Sequence, residues 1–169
     1  ETVNTPLLDS HGQINGIQCL FWVVTERHQM EEQLAYERDL LNALLDNVPD
    51  RFYIKDTESR FIKGSAALAK RLGLKTPGDI VGKNDYDFHP DALAKSFHED
   101  EQRVILTGKP IINKVEQQTD TDGRDIWASV TKVPFTNRSG IATGVIGISC
   151  DITALKLAER DTARARDRQ

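Results

Sequence analysis

The apolar positions of this chain change period several times, and each change marks a boundary between elements. Behind the polar turn Ser10–Gly12 and Gly16, residues Ile17 to Val24 are almost continuously apolar, which predicts a strand. From Thr25 the spacing becomes helical. Met30, Leu34, Leu41, Leu44 and Val48 recur at intervals of three, four and seven up to Pro49, with Glu37 in one slot and charges on the other faces. Such a helix suits either packing on its own domain or a coiled-coil connector between domains. FYIKD, the turn TES and RFIKG then predict a hairpin over 52–64, and SAALAKRLG a short helix over 65–73 closed by Gly73. Residues 74–90 hold Pro77, Gly78, Gly82 and Pro90 and read as short turns. Asp91 is placed as the N-cap of a helix to about Leu106, with Gly108 and Pro110 as its stop. Strands over 111–119 and 124–135 flank TDTDG, where Asp122–Gly123 signals a tight turn. Asn137–Gly140 turns into a strand over 142–152, and a last helix begins near Thr153 and is expected to fray in ARARDRQ. The order is two strands, several helices, then three strands. That is an α+β layout, an antiparallel sheet with helices inserted between its second and third strands.

Part of this pattern occurs twice. GQINGIQCLFWVVT at 12–25 and GIATGVIGISCDIT at 140–153 share a syntax: a glycine turn, an apolar strand, a threonine, then a charged helix. At a constant shift of 128 positions Pro6 meets Pro134, Gly12 meets Gly140, Gly16 meets Gly144, Thr25 meets Thr153 and Glu31 meets Glu159. A repeat spaced by one domain length predicts two tandem domains, with only the tail of the first included.

Composition narrows the functional classes. A chain of 169 residues, 38% hydrophobic and 28% charged, suits one soluble domain with flanking elements. Its net charge of −4, with positive charges dispersed among acids, gives no footprint for nucleic acid. No apolar run approaches a membrane span, so no direct membrane contact is expected. Cys19 and Cys150 make no CxxC motif and no disulfide framework, which points to a reducing cytoplasm.

YIKD, RFI, DIVGKNDYDFHP, the helix ending VILTGKP, DG-x-x-x-W, TKVPF and GISCDIT together resemble the PAS domain family, its prokaryotic sensory branch in particular. The resemblance runs from about Asn47 to Thr153. It implies residues 1–25 as the closing hairpin of a preceding PAS domain, 26–48 as a connector helix, 49–153 as a PAS sensor domain and 154–169 as an outgoing connector helix. It implies a five-stranded sheet and a small-ligand cavity between sheet and helices. Partners would be a second copy of the chain and the adjacent PAS and output domains, such as a histidine kinase of a two-component system or a cyclic-dinucleotide enzyme. Two positions depart from the family pattern. Ser65 stands where many members carry Asn, which questions a helix-start hydrogen bond, and Val23 replaces the closing Asp of the first repeat copy.

Strand alternation, phased on the resemblance, assigns the cavity wall. Ala128 and Val130 face inward, with Trp127, Ser129 and Thr131 outward. Gln118 stands across from Ala128 and Glu116 across from Val130. Val145, Gly147, Ser149 and Asp151 face inward on the last strand, and Tyr53 and Lys55 on the first. The candidate ligand-binding residues are therefore Tyr53, Lys55, Glu116, Gln118, Ala128, Val130, Gly147 and Ser149. Buried polar groups among them need partners, either a small polar metabolite or, in a dry core, a Lys55–Glu116 pair. Trp127, Ile146, Ile148 and Cys150 leave an apolar outer stripe, so Leu34, Leu41, Trp127 and Ile148 are the candidate dimer or helix-docking face. Asp151, Ile152 and Thr153 sit where strand becomes helix and are the candidate relay, Thr153 as a cap.

Other chemistry finds little footing. A photochemical flavin site needs a cysteine in 65–73, and none is there. Haem needs an inward histidine, whereas His98 sits among charges and His89 reads as a turn residue. The four histidines show no metal-ligand spacing, and no phosphate loop, nucleophile elbow or HExxH is present. Asp120, Asp122 and Asp125 read as a solvated turn. The segment is read as non-enzymatic: a ligand-sensing module that relays through dimerising helices. The alternatives are a ligand-free dimerising spacer and, less favoured, a haem-based gas or redox sensor.

Overall fold

The computed structural model describes residues 2–21, 25–119 and 123–166. Val23, Asp120, Asp122 and the last three residues lie outside that set, so the readings that fall on them are not tested.

The chain divides into two units, residues 1–43 and 44–169. In the first, β1 (Thr2–Leu8) and β2 (Ile14–Phe21) form an antiparallel pair, and α1 (Thr25–Asn47) begins at the threonine of the repeat. The strand expected to open at Ile17 opens three residues earlier, because the turn chemistry belongs to Asp9–Gly12. There Asp9 Oδ1 accepts from the amides of His11 (2.8 Å) and Gln13 (2.9 Å), which lets pairing start at once.

The second unit carries β3 (Arg51–Asp56), β4 (Phe61–Gly64), α2 (Ala66–Arg71), two 3-10 turns (Pro77–Ile80 and Asp85–Asp87), α3 (Asp91–Thr107), β5 (Ile111–Thr119), β6 (Asp125–Thr136), β7 (Ala142–Asp151) and α4 (Thr153–Arg166). Its five strands form one antiparallel sheet in the order β4-β3-β7-β6-β5. The helices inserted between β4 and β5 make this the expected α+β layout. Ser65 caps α2 as an Asn would: its Oγ accepts from Leu68 N at 3.2 Å and from Phe52 N at 3.0 Å, and donates to Asp50 O at 3.1 Å. Pro90, not Asp91, precedes the first residue of α3, whose N-terminus carries no side-chain cap. Proline there presets the entry angle, and Asp91 contributes its charge to the first turn.

A core of Tyr53, Phe61, Leu68 and Ile80, with Leu72, Leu74 and Phe88 against it, fills the space between β3–β4 and the inserted segment. Tyr53 and Phe61 meet edge to face at 5.8 Å. The face of α3 toward the sheet buries Ala94, Glu101 and Val104, spaced as helix periodicity requires.

The two hairpins at the ends of the repeat share a register. Thr2↔Phe21 and Leu7↔Gly16 in β1–β2 correspond to Val130↔Ser149 and Phe135↔Gly144 in β6–β7, each shifted by 128. Both registers slip at the same place, between Leu7 and Leu8 and between Phe135 and Thr136. Asn137 Oδ1 closes the second turn onto Ser139 N (2.9 Å) and Ile141 N (3.0 Å) as Asp9 closes the first. Gly12 and Gly140 both have φ of 77°.

Candidate functional site

Period-two alternation carries β3, β6 and β7 side chains into one cavity. Tyr53 and Lys55 on β3, Ile126, Ala128, Val130 and Lys132 on β6, and Val145, Gly147 and Ser149 on β7 are buried. Opposite them lie α2, the second 3-10 turn and α3. The cavity they line, open on one side, has a volume of about 60 Å³. Of the residues expected to bind a ligand, Tyr53, Glu116, Gln118, Val130 and Ser149 line it. Ala128 is fully buried, Lys55 sits behind the lining, and Gly147 lies beneath Tyr53. A Cβ at Gly147 would fall on the Tyr53 ring, so only glycine lets the ring lie against the strand.

Four expectations need correction. Across the hairpin Glu116 pairs with Ala128 and Lys114 with Val130, two residues from the expected register. The hairpin is centred one residue earlier than the expected Gln118–Ala128 pairing puts it, and a slip of two keeps every side chain on its expected face. Asp151 is exposed, because it closes the strand onto α4: its Oδ1 accepts from Thr153 N at 2.9 Å. Lys55 does not satisfy Glu116. Its ammonium donates to Asp85 at 2.5 Å and Glu101 at 2.6 Å, delivered by the 3-10 turn and by α3, while Glu116 takes Lys114 at 3.2 Å. His89 is more than a turn residue: half-buried, it lines the cavity and stands edge-on to Phe97 at 5.4 Å. His98 is outside the lining.

The buried charges form one network. Lys55 is 1% and Glu101 0% exposed, and Lys132 stands 3.9 Å from Glu101 while donating to Phe97 O at 3.3 Å. Burial pushes the Glu101 carboxyl up against the opposing pull of Lys55, and pushes the Lys132 ammonium down against Glu101. Burial, with Glu101 nearby, raises the Tyr53 phenol well above its ordinary value. Burial lowers the His89 imidazole. Three buried side-chain atoms have no hydrogen-bond partner among the described residues: Arg51 Nη2, Glu101 Oε2 and Ser149 Oγ. All three residues line the cavity.

Sequence reasoning missed Arg51, Arg71, Asp85, His89, Glu101 and Lys132. Arg51 and Lys132 carry a legible signal, since each continues the inward parity of its strand by one step. The candidate relay residues lie together at the strand end. Thr153 Oγ1 accepts from Trp127 N at 2.9 Å, and Ile152 N donates to Trp127 O at 2.8 Å, so β6 is tied to the start of α4. In the candidate docking face, Leu34, Leu41 and Ile148 are exposed and Trp127 is half-buried. Both cysteines are free, and the described residues hold no cluster able to ligate a metal and no helix long and apolar enough to cross a membrane.

Comparison with known proteins places this geometry. The methanogenesis regulatory histidine kinase FilI of Methanothrix harundinacea is 28% identical over 127 residues, covering 75% of this chain and 14% of that protein. The virulence sensor protein BvgS of Bordetella pertussis is 26% identical over 157 residues, covering 87% of this chain and 12% of BvgS. The chain thus spans only 12–16% of the curated relatives it matches. Among solved structures, a phage VqmA in complex with DPO superimposes with a TM-score of 0.60 at 28% identity, covering 80% of this chain and 62% of that one. Residues 45–157 match the family described as PAS fold. With that match spanning most of the chain and the sheet, inserted helices and cavity in place, this chain belongs to the PAS family of sensory domains found in signalling proteins.

Proposed function

We propose that residues 49–153 sense a small polar ligand and relay its presence through the flanking helices of a larger cytoplasmic signalling protein. The observation that carries this reading is the convergence of three partnerless polar atoms, on Arg51, Glu101 and Ser149, upon one cavity. Each such atom costs about 1–3 kcal/mol if nothing meets it. A protein that keeps three of them around one space has a use for that space. VqmA, of similar fold, is seen bound to DPO. Catalysis belongs to other domains of the parent, as the name histidine kinase on FilI suggests.

The relay runs from Ser149 along β7 to Asp151, Ile152 and Thr153, then into α4. Apolar surfaces of each unit, Leu34 and Leu41 on α1 and, separately, Trp127 and Ile148 on the sheet, are offered to a second copy. The shared register of the two hairpins supports β1–β2 as the closing hairpin of a preceding PAS domain, with α1 as its exit helix in the way α4 is for the second unit.

One competing reading has an observation of its own. At about 60 Å³ the cavity is far below the roughly 300–1,000 Å³ of drug-sized ligand sites, which favours a ligand-free dimerising spacer. Native and denaturing mass spectrometry on one preparation separates the two. A small molecule released on denaturation is the expected result. A dimer of bare chain mass, unchanged by any added metabolite, would establish the spacer, and a Soret band would point to haem instead.

A further inference from the structure

The cations around the cavity are not equivalent. Lys55 holds Asp85 and Glu101, Lys132 stands 3.9 Å from Glu101, and Lys114 holds Asp100 and Glu116. Every carboxylate in the lining thus already faces an ammonium. The two guanidiniums in the lining, Arg51 and Arg71, have no carboxylate within ion-pair distance among the described residues. Arg51 Nε reaches only the carbonyl of Ser149, at 3.4 Å, and Nη2 is buried without an acceptor. Arg71 donates one Nη2 bond to Thr119 O at 2.5 Å. Ser149 is paired directly across the strands from Arg51, and its hydroxyl is also unsatisfied. Burial and the charge of Arg71 both weaken the hold of Arg51 on its proton, so these like charges oppose one another. Asp151 acts on both and Asp50 on Arg51 from beyond ion-pair distance, and Asp151 is exposed and occupied by Thr153. A planar anion fits what is missing: a guanidinium fork donates two parallel bonds to a carboxylate, and a hydroxyl donates a third.

We infer that Arg51, Arg71 and Ser149 form a carboxylate-binding corner of the cavity, and that its ligand is a small monocarboxylic acid whose second polar group meets Glu101. The assignment rests on the ligand-sensing reading and narrows it. Size limits the acid. A cavity of about 60 Å³ has room on the order of four or five waters, so acids of acetate or lactate size enter without rearrangement.

The test is an amide-resonance titration of the whole chain with acetate, with L-lactate, and with acetamide as the neutral isostere, at constant ionic strength. Acetate and lactate should shift the Ser149 amide and its neighbours saturably, lactate more tightly through its hydroxyl, while acetamide does not. Arg51→Gln should weaken lactate binding about tenfold or more, Arg51→Lys less, and Ser149→Ala by a few-fold. Circular dichroism melts report whether each variant folds. If Arg51→Gln does not, Arg71→Gln and Ser149→Ala give the same readout. Binding of acetamide as tight as acetate, or unchanged lactate affinity in the folded variants, would overturn the carboxylate assignment. So would shifts that sodium chloride reproduces. The two readings fail separately. A neutral or cationic molecule released from the purified chain leaves sensing intact and removes the acid, a released carboxylate supports both, and no occupant from any source removes both.

Discussion

The hairpin β1–β2 and the hairpin β6–β7 share a register, a bulge and a turn, and they differ in surroundings. In β6–β7, β5 pairs on one edge, β3 on the other, and alternate side chains from Ile126 to Lys132 are buried. In β1–β2 each strand has, among the described residues, only the other as its sheet partner, and Val3, Leu7, Ile14, Ile17, Leu20 and Phe21 are exposed, Phe21 by 76%. The same local syntax therefore builds the same hairpin twice. Asx chemistry and a left-handed glycine set the turn, and the turn sets the register. Burial follows from the neighbours, which a turn cannot supply. A two-stranded hairpin is marginal in water unless further strands or a helix cover it, which is the physical ground for the proposal that β1–β2 closes a preceding domain.

The comparison breaks most violently where the C-terminal hairpin meets the buried charges. Lys55→Met would leave Asp85 and Glu101 buried with only Lys132 nearby, at an expected cost of about 3–5 kcal/mol in urea unfolding. A loss below ~1 kcal/mol would mean that the network is wetter than its burial indicates. The second prediction uses equivalent glycines. A Cβ at Gly144 would fall against the Lys55 carbonyl oxygen, whereas one at Gly16 would rest 3.5 Å from Leu7 Cδ1 in ordinary contact. Gly144→Ala should cost about 1–3 kcal/mol, and Gly16→Ala less than ~0.5 kcal/mol. Equal effects would show that β3 does not press on β7 as described.

The smallest effect is a pH slope. Burial lowers His89, so the unfolded chain binds its proton more readily than the folded one. Its contribution is complete above the ordinary histidine value of about 6.5 and is lost as pH falls through the lower folded value. His89→Gln should flatten the stability slope between about pH 7.5 and about pH 5.5, measured by urea unfolding. An unchanged slope would assign that dependence to other groups.

What the chain disclosed before folding follows the same division between local and distant causes. Inward parity is a local property, so Tyr53, Val130, Gly147 and Ser149 could be placed from alternation once the family resemblance set its phase, and Lys132 with one more step. The partners of Lys55 could not. Asp85 and Glu101 stand 30 and 46 residues away and arrive on a 3-10 turn and a helix, so their meeting is decided by tertiary packing. The β5–β6 register slipped by two because the turn residues admit more than one loop length, while parity survived because the slip was even. His89 looked like punctuation beside Pro90, and its place in the cavity wall, edge-on to Phe97 of α3, is a tertiary contact that its neighbours in sequence do not announce.

Tyr53 over Gly147 has one more consequence. The phenol ring is part of the cavity wall, and it lies where it does because position 147 carries no side chain. Any larger residue there would lift or rotate the ring and so redraw the cavity, without itself touching an occupant. The chain thus has a dial for what it admits, set by a hydrogen atom on one strand and read out by an aromatic ring on the next.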